Sequence, residues 1–286
     1  MDFAVRTLSS QESKVVLALS EQGRRETTRE DIIRLLGTSP QAADHVIRSL
    51  RRKGWLERGG WGKYLLIPPD QGWQALGESN LLALASSIAS PYYFGFATAA
   101  AHYGLTTQLR STIFLVTPQH VRPKEIQGTK IRIVKVTPRR FFGFSSVDVF
   151  GYPVMMSDRE KTVLDCIDRP ALAGGIGESA TILAAATRRF DWEKVASYLK
   201  QIASVTLVRR LGWLADHTGA EIPETIRTRM HSMADRPGVS FLGPRKPAND
   251  AIGYSPQWHL MVNIPMSAIS ESRARANRHK IEKKGA

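Results

Sequence analysis

The sequence predicts an α+β protein in two parts, and three observations carry that expectation. Two short amphipathic helical stretches near the N-terminus are separated by Gly37-Thr38 alone and are followed by a glycine-rich hairpin pattern. Residues 79–109 contain no Asp, Glu, Lys or Arg and read as buried helices. The chain then turns to strand-like runs over residues 110–156 before becoming helical again. With 286 residues there is room for two domains, placed at 1–70 and 73–286 around a stiff Pro68-Pro69-Asp70-Gln71-Gly72 linker.

Residues 10–20 predict a first helix with Val15, Val16 and Leu19 inward. Thr27-Thr28-Arg29-Glu30 has capping-box spacing and opens a second helix through Ile32, Ile33, Leu35 and Leu36 to a stop at Gly37. Ser39-Pro40 starts a third: serine caps free N–H groups, and proline at the first position forfeits an N–H that has no partner. Gly54 is its stop, Ala43, Val46, Ile47 and Leu50 its apolar face, and Gln41, Asp44, His45, Arg48 and Arg52 its opposite face. Residues 55–58 and 63–67 then read as strands around Gly59-Gly60-Trp61-Gly62.

Two helices joined by so tight a turn, with a hairpin after them, predict a winged helix-turn-helix DNA-binding domain. Gln41 and Arg48 are the expected base readers, because glutamine pairs bidentately with adenine and arginine with guanine; His45 shares their face, and Arg51, Arg52 and Lys53 suit phosphates. Arg58 and Lys63 are the expected contacts from the wing.

The second domain is expected to be the larger, a mixed α/β region that opens with helices over residues 74–89 and 97–103. Strands follow at 113–116, 131–136, 147–150 and 154–156. Between residues 110 and 145, Arg110, Arg122, Lys124, Lys130, Arg132, Lys135, Arg139 and Arg140 face Glu125 as the lone acidic residue, and the expectation is extra DNA-phosphate contact. The whole chain carries a formal charge of +14 with 42% hydrophobic and 23% charged residues, a globular composition whose charge favours nucleic acid as partner. A basic run over residues 273–284 is expected to be a mobile or helical tail.

A single cysteine, Cys166, excludes an internal disulfide and a cysteine-rich zinc site and reads as a small buried hydrophobe. No signal peptide and no membrane span is expected, and the expected compartment is the cytoplasm. Asp148, Asp158, Glu160 and Lys161 suggest the alternative of a metal-dependent nuclease targeted by the winged helix. The preferred reading makes Ser157 with Glu160 a capping box and assigns no catalytic residue, metal or cofactor, so that Asp158→Ala or Asp165→Ala should cost stability alone. Gly174-Gly175-Ile176-Gly177 lacks the Gly-Lys-Ser/Thr ending of a phosphate loop and reads as a turn before a helix near Glu178. A third class, an adaptor using residues 79–109 as its surface, conflicts with the burial expected of that segment.

Ser157-Asp158-Arg159-Glu160-Lys161-Thr162-Val163-Leu164-Asp165-Cys166-Ile167-Asp168-Arg169-Pro170, the following Ala173-Gly174-Gly175-Ile176, and Arg209-Arg210-Leu211-Gly212 resemble the AbiEi family of antitoxin regulators. Phe94-Gly95-Phe96 and Ala99-Ala100-Ala101-His102-Tyr103-Gly104-Leu105 resemble an earlier segment of the same family, and the likeness extends to about Gly219. The resemblance implies a repressor that binds inverted repeats in double-stranded DNA ahead of its own operon. It also implies an antitoxin, in a type IV system linked to phage-abortive infection, against a nucleotidyltransferase-like toxin that it need not touch. Its N-terminal domain would repress and its C-terminal domain would supply antitoxicity.

Overall fold

A computed structural model describes residues 7–59, 62–67, 78–108, 112–126, 128–149, 152–244, 253–267 and 269. The fold is α+β, in two compact units. Residues 1–91, 121–131 and 147–154 make the first unit; residues 92–120, 132–146 and 155–286 make the second. The linker at 68–72, Arg110 and the basic tail lie outside the described residues.

The first unit begins with α1 (Ser10–Glu21), β1 (Glu26–Thr28), α2 (Arg29–Leu36), α3 (Pro40–Arg52), β2 (Leu56–Arg58) and β3 (Lys63–Leu66). Its strands form an antiparallel sheet of order β1-β3-β2. Val15, Val16, Leu19, Ile32, Ala43, Val46, Ile47 and Leu50 close over Trp55, Leu56 and Leu66, so the apolar faces foreseen for all three helices are the ones that meet. The capping box of α2 lies one residue later than the sequence suggested. Thr28 accepts from the Asp31 amide and Asp31 from that of Thr28, while Thr27 is buried within β1. Beyond β3 the unit continues with α4 (Glu78–Ser86), β6 (Lys124–Ile126) and parts of the later strands. Leu65, Ala83, Leu84 and Tyr152 share a small core with Ile126, and the Tyr152 hydroxyl donates to the Leu66 carbonyl.

The second unit is built on α6 (Arg159–Asp168), which is buried from Glu160 through Ile167. Around it lie α5 (Phe96–His102), α7 (Ile176–Ala186), α8 (Trp192–Ile202) and α9 (Val205–Thr218); α10 (Glu224–Ala234) packs on α8 and α9. The strands β4 (Tyr93–Phe94), β5 (Thr112–Thr117), β7 (Thr129–Lys135), β8 (Phe144–Val149) and β9 (Tyr152–Ser157) join β6 in a sheet of order β6-β7-β5-β4-β9-β8. A second small sheet, β10-β12-β11, combines β10 (Ser240–Phe241), β11 (Gly253–Ser255) and β12 (Leu260–Val262).

A charged pair sits inside α6. Lys161, 2% exposed, places its ammonium 2.5 and 2.6 Å from the two Asp165 carboxylate oxygens and 3.3 Å from the Tyr93 hydroxyl, between the Tyr93 and Phe142 rings. Burial raises the Asp165 carboxyl above its ordinary value against the pull of Lys161. The cap of α6 is Asp158, which accepts from the Lys161 amide. Ser157, expected as the cap, instead ends β9 and bonds the Thr162 hydroxyl, so no capping box with Glu160 forms. Helix α7 begins at Ile176, directly after two glycines at φ 99° and 102°, with Glu178 in its first turn.

The Arg209-Arg210-Leu211-Gly212 segment lies on α9 and fastens the chain beyond α10. Arg209, 2% exposed, donates to the carbonyls of Ala234, Arg236 and Gly238 and to the Ser240 hydroxyl. Arg210 donates to the carbonyls of Phe241, Ile167 and Asp168. Gly212 meets the fully buried Trp258 ring so closely that an added Cβ would lie 2.4 Å from three of its atoms.

Two substitutions probe this packing. Asp165→Ala leaves the Lys161 ammonium buried without its counter-ion and should cost about 3–5 kcal/mol in urea denaturation. Gly212→Ala forces ring and helix apart and should cost roughly 1–3 kcal/mol, detectable as a lower melting temperature. An unchanged melting temperature would show that α9 and Trp258 separate freely.

Candidate nucleic-acid interface

The arrangement of α2 and α3 is set by local chemistry. Gly37 ends α2 in the left-handed conformation at φ 58°, and Ser39 caps α3 by accepting from the Ala42 amide, with Pro40 at the first helical position. Only residues 37–39 separate the helices, and burial of Ala43, Val46, Ile47 and Leu50 turns the opposite side of α3 away from this core. Gln41, His45, Arg48, Arg51 and Arg52 are all exposed there. Arg48 lies along the helix, with Nε donating to the Asp44 carbonyl at 3.3 Å. Asp44 belongs to the same face and is paired with Arg29, whose guanidinium holds its carboxyl below the ordinary value.

Not every cation expected at this surface is free for an outside ligand. The Lys53 ammonium lies 2.7 Å from Glu12, a carboxylate 3% exposed, and ties the end of α3 to the start of α1. Burial pushes the Glu12 carboxyl up, but hydrogen bonds from Lys53, Ser49 and Ser9 together outweigh it and bring the pKa to about 2. Lys63 on the β2–β3 hairpin is paired with Glu26 of β1 at 2.8 Å. Arg58, at the end of β2, is exposed. The hairpin's Gly60 and Trp61 lie outside the described residues.

The basic residues foreseen for the second domain divide between the units. Arg122, Lys124 and Lys130 belong to the first, where β6 and β7 pair with Lys124 opposite Ile131 and Lys130 opposite Glu125. All three are exposed, and the lone acidic residue of the stretch is placed across from Lys130. Arg132, Lys135, Arg139 and Arg140 belong to the second unit. Arg132 and Lys135 are exposed, with the Arg132 guanidinium 6.0 Å from the Phe114 ring centre. Arg139 donates to the Gln201 carbonyl, and Arg140 is bound to Asp168 at 2.5 Å, so Arg140 serves the fold.

The carboxylates of the nuclease alternative are not brought together as a metal set. Asp158 caps α6 and accepts from Tyr198, Glu160 faces Lys194 and the Asp191 amide, and Lys161 is spent on Asp165. Among the described residues no three His, Cys, Asp or Glu side chains are placed to hold a metal ion. No helix among them is long and apolar enough to cross a membrane.

No family model matches the chain, and no curated protein matches it. Among solved structures it is similar to the crystal structure of RV2827C protein from Mycobacterium tuberculosis, with a TM-score of 0.65 at 18% identity over 94% of this chain and 96% of that one. At that identity the likeness establishes a shared fold and nothing about activity.

The Glu12–Lys53 pair makes the first unit sensitive to acid in a definite direction. A carboxyl whose pKa falls from 4.5 to about 2 on folding contributes stability that is complete above 4.5 and lost as the pH drops toward 2. The shift corresponds to roughly 3 kcal/mol. Lys53→Met should therefore lower the urea midpoint of this unit at pH 7, with the gap to wild type closing by pH 2, as followed by amide exchange in α1 and α3.

Proposed function

We propose that this protein is a sequence-specific DNA-binding repressor whose reader is a winged helix-turn-helix, with α3 as recognition helix and the β2–β3 hairpin as wing. The observation that carries the reading is the α3 surface. Gln41, His45, Arg48 and Arg52 are spaced along one exposed side of a helix whose other side is fully engaged in the core, one tight turn after α2. Gln41 and Arg48 read base edges; Arg51, Arg52 and Arg58 bind phosphate. Arg122, Lys124 and Lys130, in the same compact unit, extend the phosphate contacts, and Arg132 and Lys135 are the exposed candidates of the other unit.

Within that class the AbiEi-like segments support a narrower reading. The protein binds inverted repeats upstream of its own operon in the cytoplasm, represses it, and counters a nucleotidyltransferase-like toxin as a type IV antitoxin without touching it. In this reading the Ser157 block and the Arg209 segment serve as the packing and clamping residues of an antitoxin domain.

The test is fluorescence anisotropy on the DNA upstream of the gene against a scrambled duplex across a salt series. Wild type should prefer the upstream duplex by about 10³ or more, and Arg48→Ala should lose about 1–3 kcal/mol of that preference. Replacing both Lys124 and Lys130 by Ala should flatten the plot of log K against log salt by up to about 0.9 for each phosphate no longer neutralised, leaving preference intact. Equal affinity for both duplexes would reject the repressor.

A further inference from the structure

The Arg29–Asp44 pair has a placement that its contribution to stability does not explain. Arg29 is the first residue of α2 and Asp44 lies one turn into α3, and the tight turn brings them together across 15 residues. Two parallel bonds join them, Nε to Oδ1 at 2.6 Å and Nη2 to Oδ2 at 2.8 Å. Their side chains are 38% and 42% exposed, and an ion pair so open to water contributes little to stability. Asp44 nevertheless occupies the middle of the α3 outer face: Gln41, Asp44, His45 and Arg48 have the spacing that aligns side chains on one side of a helix. A bare carboxylate there would repel a polyanion.

The geometry of the fork resolves this. It engages one edge of the guanidinium and leaves Nη1 without a protein partner among the described residues. The arginine is thereby fixed beside the base-reading residues with a free edge, and the entropy of its long stem is already spent before any ligand arrives. From this geometry we infer that Arg29 is a further ligand for a DNA backbone phosphate and that Asp44 is the residue that positions it. The inference rests on the reading of α3 as a DNA-recognition helix, and it assigns a negatively charged residue on the binding face a favourable role.

Charge and position predict opposite signs, which makes the pair testable. Asp44→Asn adds one positive charge to the protein, so charge alone predicts tighter binding; loss of the fork predicts binding to the upstream duplex weakened about fivefold, or roughly 1 kcal/mol. Arg29→Ala should lower the salt slope by about 0.9, the value of one phosphate. On the Arg29→Ala background Asp44→Asn should tighten binding, because the carboxylate is then uncompensated. Arg29→Lys keeps the charge without the fork and should keep the slope while losing affinity. Melting temperatures within a few degrees of wild type would confirm that each variant is folded. Asp44→Asn binding as tightly as wild type, or an unchanged slope in Arg29→Ala, would overturn this inference while leaving the repressor intact. A wild type that does not distinguish the two duplexes would remove both.

Discussion

The constraint on which the outer surface depends is the length of one turn. Three residues join α2 to α3, one held in a left-handed conformation that glycine adopts without strain and one spent on capping the next helix. With that connection fixed, packing of Ile32 against the inner face of α3 determines which side of α3 faces water, and the hairpin is carried along because Trp55, Leu56 and Leu66 complete the same core. The exposed basic residues of α3 are therefore a result of the residues buried beneath them. Lys53 and Glu12 reinforce the arrangement from the far end of the helix, at some cost in cations left for an external anion.

The second unit is organised differently. Its central helix carries a lysine and an aspartate in the core, and both find partners within reach: each other, Tyr93, and a wall of aromatic rings. Such a pair adds little net stability over apolar residues of the same size, but it punishes any packing that separates its members. Asp158, Glu160, Lys194 and Tyr198 extend the network to α8, and Arg140 with Asp168 extends it to the turn after β7. Glu160, Lys161, Asp165 and Arg209 thus carry charge into the core of this unit.

Local chemistry was legible in the sequence and long-range pairing was not. The boundaries of α3, the inward faces of the N-terminal helices and the main strands of the larger sheet are set by caps, glycines and hydrophobic periodicity. Both misplaced caps fall where Thr27-Thr28 and Ser157-Asp158 offer adjacent capping residues, and in each the second residue, directly before the helix, makes the cap while the first is held in a strand. The three-residue strands β1, β6 and β11 and the two-residue β10 have too little pattern to announce themselves and exist because a partner edge is available. Lys53 and Lys63 looked free because their acidic partners lie 41 and 37 residues upstream. For the same reason the pairing of Arg29, decided by a carboxylate on the next helix, left no trace in its own neighbourhood.

Arg209 carries a consequence for the order in which the chain comes together. Its guanidinium is satisfied by backbone carbonyls and a hydroxyl supplied by residues 234–240, not by a carboxylate. During synthesis α9 leaves the ribosome well before those residues do, and until they arrive its arginine must stay hydrated. The helix at the centre of the last bundle therefore closes late, and a polypeptide cut short after α10 would present an open apolar seam beside a hydrated cation, the kind of surface by which chaperones and proteases sort unfinished chains.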